Sequence, residues 1–287
     1  MQIVPGVGVA RGRARRIIAP VVAPRVVAHR GSSASHAEHT RSAYERALVE
    51  GADGLECDVR LTVDGHLVCL HDRTLSRTSD ARGRISETPL ADLQTADFGN
   101  WATDLPESAD DLVGEDRFDA YDRVRVPVLA LEELLGLVAD CGRRVDLLVE
   151  TKHPTRYGGL VEQRLVETLR HYAMLDSRVS VMSFATSALR RTRRLAPELP
   201  TVQLMSRVPL LYRDGSLPVG ADVAGPSVDI LRAHPRYVER VHAAGHPLFV
   251  WTVDAPSDID LVLGLGVDAV ITNQPAEVLA RLRQEAG

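Results

Sequence analysis

Two carboxylates that share one side of an extended run are the first feature of this chain that could do chemistry. In Gly54-Leu55-Glu56-Cys57-Asp58-Val59-Arg60, Glu56 and Asp58 point the same way and Cys57 points the other. Two acids turned into a poorly solvated space repel each other unless a cation lies between them. Oxygen donors favour a hard ion, so the expectation is one divalent cation, Mg2+ or Ca2+, rather than zinc. The competing reading is an acid pair neutralised by nearby arginines. Val145-Asp146-Leu147-Leu148-Val149-Glu150-Thr151-Lys152 repeats the design, with Glu150 and Lys152 on one face. Glu150 is a third metal ligand, and Lys152 is a compact charge suited to a phosphate. Of 34 basic residues, Lys152 is the one lysine.

Val26-Val27-Ala28-His29-Arg30-Gly31 ends a buried run in His29 and Arg30, and a second imidazole follows in His71-Asp72. Two imidazoles, three carboxylates, one Arg and one Lys suit phosphoryl chemistry. The cations hold phosphate oxygens while one His takes a proton from the nucleophile and the other gives one to the leaving oxygen. A His at a strand end satisfied by a backbone carbonyl is the alternative for His29. The other eight histidines are assigned mostly to solvated or capping positions, with His39 and His153 the best placed of them to line a pocket.

These groups need a frame that brings them together. Eight short apolar runs read as strands: Val26 to Arg30, Gly54 to Arg60, Val145 to Glu150, Val179 to Ser183, Thr201 to Met205, Ser227 to Leu231, Pro247 to Val253 and Ala269 to Thr272. Helical patterns fall between most of them, at Thr40 to Glu50, Ala130 to Ala139, Leu160 to Tyr172, Ser187 to Leu195, Pro235 to Ala244 and Asp258 to Leu263. That alternation and about 250 residues predict an α/β fold, a (β/α)8 TIM barrel with catalytic groups at the carboxyl ends of its strands. The sixth unit, within Val208 to Ala224, is the least defined. Residues 1–24 read as an N-terminal extension and 25–287 as the barrel, with a small insertion after the second strand at about 61–127. Within the insertion, Leu61 to Leu70 reads as two extended runs about an Asp64-Gly65 turn, which returns His71 to the barrel rim.

Composition narrows the setting. The chain has 287 residues, 45% hydrophobic, and no apolar run long enough to span a bilayer. Its net charge is -5, and residues 100–119 hold seven acids against Arg117, so the acidity is local and nucleic acid is not an expected partner. Three cysteines without metal spacing point to a reducing, cytoplasmic setting. Nothing in the residues indicates an oligomeric state.

The ordered set His29-Arg30-Gly31, Glu38-His39-Thr40, Gly51 to Val59, Thr62-Val63-Asp64-Gly65, His71-Asp72 and Glu150-Thr151-Lys152 resembles the glycerophosphodiester phosphodiesterase family. Val250 to Asp254 and Gly266 to Pro275 are similar to that family's two C-terminal blocks. The resemblance implies a TIM barrel that hydrolyses glycerophosphodiesters to sn-glycerol 3-phosphate and an alcohol. It implies His29 and His71 as the acid/base pair, Glu56, Asp58 and Glu150 as ligands of a divalent cation, Arg30 and Lys152 as phosphate contacts, and Trp251 as a pocket wall. The chain departs from the family where His39 replaces a usual Asn, and where Asp254 and Asn273 replace a usual Asn and Asp. Two alternatives stay open. One is hydrolysis or cyclising cleavage of lysophospholipids, with Leu93, Phe98, Trp101, Leu105 and Leu112 forming either an acyl groove or the insertion's own core. The other is a non-catalytic phosphate-binding barrel.

Overall fold

Alternation within short strands decides which side chains reach the centre of this molecule. The computed structural model describes residues 23–99, 125–176 and 178–286, and all statements below concern them. In β1 (Arg25–His29), Val26 and Ala28 pack outward with helix residues, while Val27 joins an inner cluster of strand residues. His29 follows Val27 by two and so lies above it on the inner side. After α1 (Arg41–Glu50), β2 (Gly54–Leu61) buries Leu55, Cys57 and Val59 outward, which leaves Glu56 and Asp58 inward. Its far end continues past the barrel and pairs antiparallel with β3 (Leu67–Cys69), matching Val59 with Cys69 and Leu61 with Leu67. The Asp64-Gly65 turn is where the sequence put it, with Gly65 at φ 88°, a backbone region that favours glycine.

The insertion carries the short α2 (Leu90–Leu93) and returns to α3 (Leu131–Asp140). Leu93 and Phe98 are buried beside Leu75, Ile85 and Val128, so they form the insertion's own core rather than a groove. Trp101, Leu105, Leu112 and the acidic run at 100–119 lie outside the described residues, as does the N-terminal extension up to residue 22.

The remaining elements are β4 (Asp146–Thr151), α4 (Leu160–His171), β5 (Val179–Ser183), α5 (Thr186–Leu195), β6 (Thr201–Met205), β7 (Val223–Pro226), α6 (Val228–Ala233), α7 (Tyr237–Ala243), β8 (Phe249–Val250), α8 (Pro256–Leu265), β9 (Ala269–Thr272) and α9 (Pro275–Ala286). Eight strands pair in parallel in the order β7-β6-β5-β4-β2-β1-β9-β8. Single bridges, Ala224 to Leu248 and Ser227 to Trp251, join the two ends, so the barrel is nearly closed. Val27, Leu148, Met182, Val202, Phe249 and Ile271 fill its interior. No helix among the described residues is long and apolar enough to cross a membrane.

One expectation fails. The strand read at Ser227 to Leu231 is helix α6, and the strand there is Val223–Pro226. A Cβ on Gly225 would fall about 3.0 Å from the Leu204 and Val202 side chains, so this strand needs the glycine that hid it from a search for apolar runs. The Val208 to Ala224 region contains only a single 3₁₀ turn at Leu210–Tyr212 before the strand begins.

Candidate active site

Strand register alone assembles the acidic centre. β1 pairs with β2 so that His29 faces Glu56, and β2 pairs with β4 so that Asp58 faces Glu150. One carboxylate oxygen from each of Glu56, Asp58 and Glu150 lies within 4.8 Å of the others, and all three side chains are buried. Lys152 Nζ is 2.9 Å from both Asp58 Oδ1 and Glu150 Oε2.

Crowding separates the three acids electrostatically. Burial, reinforced by the Asp58 charge, pushes the Glu56 carboxyl well above its ordinary value. Burial likewise raises Glu150 to about 7, against the pull of Lys152. Burial works against an ionised Asp58 too, but the Lys152 and Arg30 cations outweigh it and hold Asp58 well below the usual carboxylate range. Asp58 Oδ1 accepts no well-directed hydrogen bond although it is buried. Three converging oxygen donors, two of them strained towards protonation and one with an oxygen lacking a directed donor, fit a hard divalent cation. Among the described residues the cluster is made of carboxylate oxygens alone, a donor set that suits a hard ion better than zinc.

Each imidazole is oriented from behind. His29 Nδ1–H donates to Asn273 Oδ1 at 2.7 Å, because the Asn273 amide is turned by its own donation to Asp254 Oδ2 at 2.6 Å. The network therefore assigns the proton to Nδ1, and Nε2 faces Glu56 Oε2 at 4.0 Å. His71 returns to the mouth because Leu70 N–H bonds to the Asp58 carbonyl at 3.0 Å. Its Nδ1–H donates to Asp72 Oδ1 at 2.9 Å. Burial, with the nearby Arg30 charge, lowers the His71 pKa and so favours the neutral ring.

Arg30 opens the turn after β1 at φ 57°, followed by Gly31 at φ 85°. A Cβ on Gly31 would lie 2.6 Å from the Ala43 carbonyl carbon, so only glycine lets this turn press onto α1. The turn aims the Arg30 guanidinium at Asp58 Oδ2 (3.2 Å) and Glu38 Oε1 (3.2 Å). Trp251 is anchored by its indole N–H on the Gly225 carbonyl at 2.8 Å and meets Phe184 edge-on at 5.4 Å.

The structure thus gathers His29, Arg30, Glu56, Asp58, His71, Glu150 and Lys152 at one end of the barrel, with Trp251 just after β8, two strands from β1. Further partners surround these residues. His39, one of the two remaining histidines read as best placed to line a pocket, is buried, donates from Nε2 to Asp58 Oδ2 at 3.0 Å, and meets the Tyr44 hydroxyl at 2.8 Å through Nδ1. Its replacement of the family Asn was a second signal. His153 Nε2 is bonded to Glu162 at 2.5 Å on the same rim. Arg77, almost fully buried, joins Asp72 to both oxygens of Glu38. No spacing in the chain marks it.

Glu38 yields a pH prediction. Burial opposes its ionisation, but Arg30 and Arg77 prevail and hold its pKa at about 2 against an ordinary 4.5. A carboxylate with a depressed folded-state pKa stabilises fully above its unfolded value, and that stability is lost as pH falls through about 2. Glu38→Gln is therefore expected to cost about 3 kcal/mol near neutral pH and to flatten the decline in unfolding free energy between pH about 4.5 and 2. Urea titrations of both proteins across that range measure it, and equal slopes would remove Glu38 from this role.

The model of the glycerophosphoryl diester phosphodiesterase family matches residues 29–277. A probable glycerophosphodiester phosphodiesterase 1 of Mycobacterium tuberculosis is 43% identical, with 90% of this chain and 92% of that one aligned. A glycerophosphodiester phosphodiesterase of Bacillus subtilis is 32% identical over 87% of this chain and 83% of its own. Among solved structures, a phosphodiesterase of Oleispira antarctica in complex with the product sn-glycerol-3-phosphate is similar, with TM-score 0.77 and 25% identity over 91% of this chain and 97% of that one.

Proposed function

This chain belongs to the glycerophosphoryl diester phosphodiesterase family and is a glycerophosphodiester phosphodiesterase, and from that premise we propose that it releases sn-glycerol 3-phosphate and an alcohol by two-histidine acid/base catalysis at a divalent cation site. The observation that carries this reading is the convergence of two imidazoles, each tethered through Nδ1, on one buried cluster of three carboxylates. Glu56, Asp58 and Glu150 would hold the cation, which when bound supplies neutralisation of the phosphate charge and polarisation of its oxygens.

The protein groups divide the rest of the work. With Nδ1–H committed to Asn273, His29 exchanges protons only at Nε2, and His71, committed to Asp72, does the same. One ring accepts the proton of the attacking water and the other delivers a proton to the leaving oxygen as the phosphorus–oxygen bond breaks. Oxidation states do not change, and solvent restores both rings. Arg30 and Lys152 contact the non-bridging oxygens, with Arg30 pre-aimed by Glu38 and Asp58. Trp251 forms a wall of the pocket.

Release of sn-glycerol 3-phosphate from glycerophosphoethanolamine and glycerophosphoglycerol tests this directly. Turnover should vanish on chelation and return with Mg2+ or Ca2+. Undiminished turnover after chelation would remove the cation from the reading, and no turnover of any glycerophosphodiester would overturn it. Phosphorus NMR of the products separates an open monoester from a cyclic phosphate.

A further inference from the structure

A cavity of about 1020 Å³ opens from the edge formed by His71 and Lys152. That is far more room than a glycerol needs, which leaves space on this side for the variable alcohol of the substrate. Its rim is set by Arg73, Arg84 and Arg156, the first two from the insertion and the third from the loop after β4. Arg84 and Arg156 share a single carboxylate, Glu87, at 3.7 and 3.5 Å. Arg73 has no ion pair among the described residues. The other acids on the wall are committed elsewhere: Asp72 to His71 and Arg77, Glu150 to Lys152. Arg60 adds a half-buried guanidinium on the His71 carbonyl at 2.7 Å. The alcohol side of the site is therefore a positively charged basin.

We propose that this basin selects diesters whose alcohol bears an anionic group of its own, a second phosphate above all, over diesters of a quaternary ammonium alcohol. The inference rests on the diesterase reading above and names its substrate class. Guanidinium forks match phosphate oxygens in pairs, and three of them around one cavity provide that geometry. The wall also carries Tyr157 and Phe184, and aromatic faces do attract ammonium groups. Here Arg156 already lies over the Tyr157 ring, 6.0 Å from its centre, and Phe184 is engaged edge-on with Trp251. An ammonium in that position would meet a guanidinium. The rim arginines are more than half exposed where they pair with Glu87. Their contribution is steering and capture, about tenfold in kcat/KM and weakened by salt.

The experiment compares kcat/KM for three diesters: glycerophosphocholine, glycerophosphoglycerol, and glycerophosphoglycerol carrying a phosphate monoester on its far hydroxyl. The expected order is anionic over neutral over cationic, with about tenfold between the extremes, shrinking as salt rises from about 0.05 to 0.5 M. The combined Arg73→Ser, Arg84→Ser and Arg156→Ser variant should lose the ranking, while Arg170→Ser, in the last turn of α4 and outside the cavity lining, should keep it. A short polyglycerol phosphate distinguishes a polymer end from a free diester as the source of the second phosphate. Equal rates, a preference for the choline diester, or a ranking unchanged in the triple variant would overturn the inference. Turnover of the neutral diester without the ranking sinks this inference alone, and failure on all three diesters sinks the diesterase reading and this one with it.

Discussion

His71→Ala is expected to lower kcat/KM on a neutral glycerophosphodiester by about 10²–10⁴-fold, the range that a positioned acid or base supplies, while leaving cation affinity nearly unchanged. The separation is the informative part. His71 is not among the carboxylates that converge, and its ring is held from the opposite side by Asp72. His29→Ala should produce a loss of similar size. The double substitution should fall little further than either single one, because an acid and a base acting in one step fail together. Steady-state rates and calorimetric titration of Mg2+ or Ca2+ on the three variants check both halves. Undiminished turnover in either single variant would exclude that histidine from proton transfer.

A second pair of substitutions should abolish the same function with opposite structural consequences. Asp58 is the acid on which cations converge, with Lys152 at 2.9 Å and Arg30 at 3.2 Å, and the His39 imidazole donates to it at 3.0 Å. Asp58→Asn leaves buried positive charge uncompensated and is expected to cost about 3–5 kcal/mol. Glu56 is different, because burial and its neighbour's charge hold its carboxyl towards the protonated form. Glu56→Gln copies the shape of that neutral acid and should change stability by less than about 1 kcal/mol. Both variants should lose most of their cation affinity. Unfolding in urea with chelator present, beside a cation titration, measures the contrast. Equal costs at the two positions would mean that Asp58 is not the charge that balances Lys152 and Arg30.

Strands carried by short runs rich in apolar and β-branched residues were legible in the amino-acid order. Val179–Ser183, Thr201–Met205 and Ala269–Thr272 have the bounds that their composition predicts. β7 was not legible, because Val-Ala-Gly-Pro carries a glycine demanded by crowding from Val202 and Leu204. The adjacent Val228-Asp229-Ile230 alternates like a strand, and tertiary packing of Val228, Ile230 and Leu231 overrides that pattern in favour of a helix. α9 carries an amphipathic pattern that was not picked out.

The site divides along the same line. Glu56, Asp58, Glu150 and His29 were readable because a two-residue period places each on a known side of a strand, and strand order then makes them neighbours. Arg77 was not, since its partners Glu38 and Asp72 belong to different loops and no period links a loop residue to its contact. His39 stood out as a candidate for the pocket lining and by its difference from the family pattern. What it does, donating to the most strongly ionised acid of the cluster, depends on a left-handed backbone at φ 60° that residue type alone does not specify.

The line of alternating charge from Arg30 through Glu38, Arg77 and Asp72 to His71 links the residue next to His29 with the other imidazole. Arg30 and Arg77 are almost entirely buried, so the pairs between them are shielded from dissolved salt. The separation of the two imidazoles proposed to exchange protons is consequently set when the chain folds, before any substrate arrives. Dipoles and charges that are already in place need not reorient as the phosphorus–oxygen bond breaks. This spares the site the reorganisation free energy that water around the same reaction must supply.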